Sequence, residues 1–204
     1  MRLLSEHVRF IAEKIARELA TSKLVSLTHG DEPVIGAAIK RLEEEVKLER
    51  AVDNEVNNIM DELEDCEDPL LALKNPEDLE KSELKNLDWL IHNFDSKKLF
   101  WLIKRRVAAK EGLILDNDDR FSNLAHRILD DLYEEDLIDY SVSENLVKNL
   151  ISKAILDYGR RREEIEEKVR EKLKSYKRNI VRGTDEYDIL FARHYAEELK
   201  KLGL

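Results

Sequence analysis

The sequence predicts an all-α protein made of two tandem, diverged copies of one helical unit, each with a long amphipathic, coiled-coil-like helix and at most very short strands. Three observations carry that prediction. Glycine (6) and proline (3) are scarce while charged residues reach 39% and hydrophobic ones 42%; Glu, Lys, Leu and Ala lose little rotamer freedom in a helix, so the composition is helical. Apolar residues recur at steps of three and four, the period of one buried helix face. Finally, sliding the chain by 113 residues lays one such pattern on another without a gap. Val8, Ile11, Ala12, Ile15, Leu19, Leu24 and Val25 fall on Phe121, Leu124, Ala125, Ile128, Leu132, Leu137 and Ile138. The same offset carries Val34, Leu42, Val52, Val56 and Met60 onto Val147, Ile155, Ile165, Val169 and Leu173.

Taken in order, the first helix of each copy is expected at about 5–22 and 119–135, with Ser5 and Asp119 as N-caps. The patches Leu24-Val25-Ser26-Leu27 and Leu137-Ile138-Asp139-Tyr140 follow, either as a two- or three-residue extended pairing or as loops with buried anchors. The second helix is long. In the first copy it starts near Asp31-Glu32-Pro33, where proline in the first turn loses no hydrogen bond. In the second, Ser141-Val142-Ser143-Glu144 has the spacing of a capping box. A helix of ~30 residues reaches ~45 Å, so these helices should pack on each other or on a partner.

Their apolar stripes, which in the second copy run from Ile151 to Tyr176, are both interrupted at one place, by Glu49 and Arg162. Either the helix leaves the core there, or the long helices pair antiparallel and the two charges form an inter-repeat ion pair.

Each copy then ends alike, at an offset of 91: Leu99-Phe100 leads to Lys110-Glu111-Gly112-Leu113, and Leu190-Phe191 to Lys201-Leu202-Gly203-Leu204. The last helices are expected at 96–111 and 185–202, with Thr184 as N-cap and Gly112 and Gly203 as left-handed C-caps. The first repeat is therefore residues 1–63 plus 96–115, and the second is 116–204. Between them lies 64–95, an acidic insertion or linker containing Pro69 and Pro76, with its own helix at about 76–94 opened by Asn75-Pro76.

Charge separates the halves. Residues 1–95 hold 23 acidic and 12 basic side chains, a balance of −11, whereas 96–204 hold 22 and 23, a balance of +1. The acidic half repels nucleic acid; the other half need not. Arg160, Arg161, Arg162, Lys168, Arg170, Lys172, Lys174, Lys177, Arg178 and Arg182 face five glutamates within 159–182. This segment either contacts nucleic acid or docks on an acidic protein surface; Arg160, Arg161, Lys168, Lys172, Lys174, Lys177 and Arg178 are the contact candidates. Solvated helices are often this charged, and Tyr176, the nearest aromatic, fits the core stripe better than a stacking platform.

Other chemistry finds little support. The lone Cys66 excludes an internal disulfide and reads as a small filler near a helix end. Asp88/His92 and His126/Asp130 have helix-face spacing, but neither is followed by a third ligand at metal spacing, so surface pairing is the simpler account. The acidic runs 62–68 and 116–119 lack the glycine and terminal glutamate of a calcium loop. No catalytic, cofactor-binding or metal-binding residue is assigned, and no cofactor is expected. No run of 18 apolar residues occurs and the opening residues lack a signal-peptide stretch, so a cytoplasmic protein without a membrane partner is expected. High Glu and Lys with no glutamine is a thermophile-like composition.

The chain resembles a bacterial family known as domain of unknown function family 507. The resemblance rests on Met1-Arg2-Leu3, on Phe100-Trp101-Leu102-Ile103-Lys104, on Glu135-Asp136-Leu137-Ile138-Asp139-Tyr140 and on Gly183-Thr184-Asp185-Glu186-Tyr187-Asp188. These are packing and capping features that imply a helical fold and bacterial origin and carry no functional residues across. A non-catalytic helical interaction or scaffold protein, binding itself or another protein, is thus the favoured function. An RNA- or ribosome-associated protein using the 159–182 face comes second, and an enzyme with a dispersed carboxylate and histidine site last.

Overall fold

A computed structural model of the chain describes residues 3–65, 96–176, 178 and 180–201. The expected 76–94 helix, the insertion beyond Asp65, Cys66, His92, Lys177 and Gly203 lie outside the described residues. Within them the chain is helical apart from one two-stranded sheet. After a 3-10 turn (Ser5–His7) come α1 (Val8–Thr21), β1 (Val25–Leu27), α2 (Asp31–Asp65), α3 (Ser96–Glu111), α4 (Asn117–Glu134), β2 (Ile138–Tyr140), α5 (Glu144–Lys174) and α6 (Asp185–Lys201).

The ends of these helices show which sequence signals the backbone uses. Thr184 caps α6, its Oγ1 accepting from the Tyr187 amide at 3.3 Å. Gly112 ends α3 at φ +76°, which lets the Leu113 amide reach back to the Ala108 carbonyl at 2.8 Å. Three expected caps are corrected. Ser5 lies inside the 3-10 turn, whose cap residue is Leu4, and the cap residue of α1 is His7. At α4 the cap is Asp116, whose Oδ1 accepts from the amides of Asp118 and Asp119 at 3.0 and 3.1 Å; Asp119 lies inside the helix. At α5 the cap residue is Ser143, and its side chain makes no capping bond, so the serine–glutamate box does not form.

The 113-residue offset reappears in the structure. It carries the last residue of α1 onto that of α4, β1 onto β2, and the first residue of α2 onto that of α5. Lys23 (φ 58°) and Asp136 (φ 54°), the two non-glycine residues at positive φ among those described, stand 113 apart. Each turns the chain out of a helix into a strand in a conformation that costs roughly 1–2 kcal/mol. The strands pair antiparallel with Ser26 opposite Asp139, again 113 apart, and Val25 and Leu27 opposite Tyr140 and Ile138. Val8 and Phe121, Ile15 and Ile128, Leu42 and Ile155, and Val52 and Ile165 are buried at both positions.

The chain forms two compact units: residues 1–43 with 121–204, and residues 44–120. This division follows packing, whereas the division into repeats follows sequence, and the boundaries fall inside α2 and α4. In the first unit α1 packs along α5 and on β1, and α5 packs along α6. In the second, Val52, Val56 and Leu63 of α2 close on Leu99, Ile103 and Val107 of α3, and Lys104 Nζ reaches Asp53 at 2.7 Å.

Each unit also buries a polar cluster. In residues 44–120, Arg120 lies between Glu45 (2.6 Å) and Glu49 (3.1 Å). In the other unit His7 Nδ1 is hydrogen-bonded to Tyr158 Oη, and these positions lie 113 from Arg120 and Glu45. Burial holds the His7 imidazole below its ordinary pKa; Glu6 opposes this and Arg162 adds to it, while burial pushes the Tyr158 hydroxyl up. A depressed imidazole contributes stability that is present above its unfolded pKa and is lost as pH falls from that value through the lower folded one. The wild-type urea midpoint should therefore drop more between about pH 7.5 and 5.5 than that of His7→Phe. Parallel midpoints for the two proteins would show that His7 titrates as it does in the unfolded chain.

Candidate ligand-binding cleft

The C-terminal half of α5 presents Ile165, Val169 and Leu173, spaced by four, to α6, where Tyr187, Leu190, Phe191, Tyr195 and Leu199 cover them. Phe191 stacks between Tyr187 and Tyr195 at 6.0 Å on each side. The three-four stripe thus places aliphatic side chains of one helix against an aromatic row on the other. Past Lys174 the chain leaves α5 through Ser175, whose Oγ donates to the Lys172 carbonyl at 2.7 Å. It returns at Gly183, φ +86°, into the capped start of α6.

That connector opens a cleft of about 540 Å³ between the end of α5 and the start of α6. Arg170, Lys174, Arg178 and Arg182 line it, one cation every four positions, with Glu167, Leu173, Tyr176, Ile180 and Tyr187. Two of these cations are already engaged: Arg170 binds Glu166 (2.9 Å) and Glu167 (3.2 Å), and Arg178 pairs with Glu186. Lys174 and Arg182 have no ion-pair partner among the described residues. The lining therefore keeps an excess of positive charge beside an apolar floor.

Behind the cleft the buried His194 ring takes Tyr176 Oη at Nε2, while its Nδ1 lies 2.9 Å from Glu197 and 3.0 Å from Lys172. The hydrogen bond from His194 holds the Glu197 carboxyl below its ordinary pKa, with Lys172 adding to the effect. Tyr176 is thereby fixed at the rim with 37% of its surface exposed, which corrects the expectation that it sits in the core stripe.

The cations of the basic segment differ in their surroundings. Lys174 and Arg178 line the cleft; Lys172 pairs with Glu197 at 3.5 Å; Lys168 and Arg161 are exposed and do not line it. Arg160 lies 3.9 Å from Asp157, which also pairs with Lys14 of α1 at 3.5 Å. Arg170, Arg182 and Tyr187, absent from the contact candidates, belong to the cleft; the four-residue recurrence at 170, 174, 178 and 182 is a signal for the two arginines, and none marks Tyr187. Glu49 and Arg162 fall in different compact units, Glu49 bonded to Arg120 and Arg162 paired with Glu166 at 3.2 Å. Among the described residues, one group can converge on a metal ion: His126, Asp130 and Glu144. No helix among them is long and apolar enough to cross a membrane.

Fold and cleft define an all-α protein with a cationic groove between two helix ends. The chain belongs to the family described as Protein of unknown function (DUF507), which matches residues 1–75 and 76–204. No curated protein matches it.

Proposed function

We propose that this is a non-catalytic binding protein, built by doubling of one helical unit, which holds an acidic segment of a protein partner in the α5–α6 cleft. The observation that carries this reading is the chemistry of the lining. Lys174 and Arg182 offer cations without an ion-pair partner among the described residues, Leu173 and Ile180 offer an apolar floor, and the Tyr176 rim is fixed from behind by His194. Such a lining suits a peptide that alternates carboxylates with aliphatic side chains. Arginines supply charge and donors but no proton-accepting form for general base work.

The test is fluorescence anisotropy of a labelled glutamate- and leucine-rich peptide against the full chain over a range of salt. Binding should weaken with salt and be lost in Lys174→Glu/Arg182→Glu, two exposed positions whose change leaves the helices intact. Equal peptide binding by the double variant sinks the cleft assignment. A second reading, RNA binding, is favoured by one feature, the Tyr176 and Tyr187 side chains beside the cations, which offer faces for bases. Single-stranded RNA that binds more tightly than the peptide, and is lost in the same variant, would put that reading first.

A further inference from the structure

At the other end of α5, β2 and the start of the helix bring Glu144 beside the exposed face of α4. There the helical spacing of His126 and Asp130 sets both side chains on one face. His126 Nδ1 lies 3.2 Å from Glu144 Oε1 and 3.8 Å from Asp130 Oδ1, and all three donor atoms fall within 4.8 Å of one another. We propose that these three residues form a binding site for a divalent transition-metal ion of the zinc class, with its remaining coordination position open to water or to a partner's side chain.

Distances and charge both support the assignment. Zinc bonds to nitrogen and carboxylate oxygen are about 2.0–2.2 Å long, which puts neighbouring donors of a tetrahedral site roughly 3.3–3.6 Å apart. The two His126 distances bracket that range, and the side chains are about half exposed (50%, 49% and 54%), so small rotamer adjustments bring the donors to an ion. Two carboxylates converge here, and among the described residues the imidazole is their only ion-pair partner. A bound cation neutralises that repulsion. One nitrogen with two oxygens selects a borderline ion over calcium or magnesium, which take all-oxygen shells. Bound metal would tie the end of α4 to the first turn of α5 across the 135–143 connection, so the site joins the two helices that flank β2.

The test is isothermal titration of the metal-free full chain with zinc in a non-coordinating buffer, beside His126→Ala and Glu144→Gln. Wild type should bind one zinc ion per chain. Each variant should bind at least about tenfold more weakly, because loss of even an outer-shell partner costs 10–100-fold. Cobalt should show visible d–d bands in the wild type that disappear in His126→Ala, and excess calcium should not displace zinc. Circular dichroism checks that the variants, changed only at exposed side chains, remain folded. Zinc affinity equal in wild type and His126→Ala, or binding with no saturation at one ion per chain, overturns the proposal.

Discussion

Replacing Arg120 by methionine should destabilise the unit formed by residues 44–120 by about 3–5 kcal/mol, because it strands two buried carboxylates. The Arg120 side chain is 6% exposed, and those of Glu45 and Glu49 are 6% and 11% exposed. Burial alone would disfavour the guanidinium charge, yet the hydrogen bonds it donates to Glu49 and Glu45 hold its pKa above the ordinary value. The cluster is therefore self-satisfying as a whole and costly in part. Converting all three members to apolar residues (Glu45→Leu, Glu49→Leu, Arg120→Met) removes the desolvation penalty with the attraction, and should be neutral or stabilising by about 1–4 kcal/mol. Trp101 of α3 belongs to this unit, so urea denaturation followed by tryptophan fluorescence reports on it. A loss below about 1 kcal/mol for Arg120→Met would place the carboxylates in water, where ion pairs contribute that little.

The same cluster shows what the sequence reveals and where it stops. The break in the apolar stripe at Glu49 is plain from periodicity. Its partner is 71 residues away, in the first turn of α4, and is not singled out by the sequence. Nothing local distinguishes Asp116, the actual cap, from Asp119. Helix positions are legible because each depends on burial of one stripe, and the strand patches because a β-branched residue follows the end of α1 and of α4. The cleft is less legible. Its cations recur every four residues as on a helix, but α5 stops at Lys174, and the connector places Arg178 and Arg182 opposite a side chain, Tyr187, that belongs to α6. Sequence spacing locates charges along an element; the path between elements decides which of them meet. Glu144 illustrates the point again: it lies 18 residues beyond His126 and reaches it at 3.2 Å through the turn at β2.

If the 113-residue offset marks positions that have kept one environment, then Leu19→Ala and Leu132→Ala should cost nearly the same, each about 2–5 kcal/mol. Both leucines are 0% exposed, both sit in the last turn of a helix that runs into a strand, and both belong to the unit of 1–43 and 121–204. The spread of such costs comes from how far the surroundings collapse into the cavity, so equal costs mean equally stiff walls around the two sites. The pair Leu24 and Leu137 supplies the contrast. Leu24 is 37% exposed and Leu137 is 7% exposed, so the offset holds in sequence there while the environment has diverged. Leu137→Ala should then cost about 2 kcal/mol or more, and Leu24→Ala at most about half of that, since the transfer and cavity contributions both scale with burial. Urea unfolding followed by far-ultraviolet circular dichroism measures all four. Unequal costs at 19 and 132 would confine the likeness of the two copies to their hydrophobic pattern, because matched burial would then conceal unmatched packing.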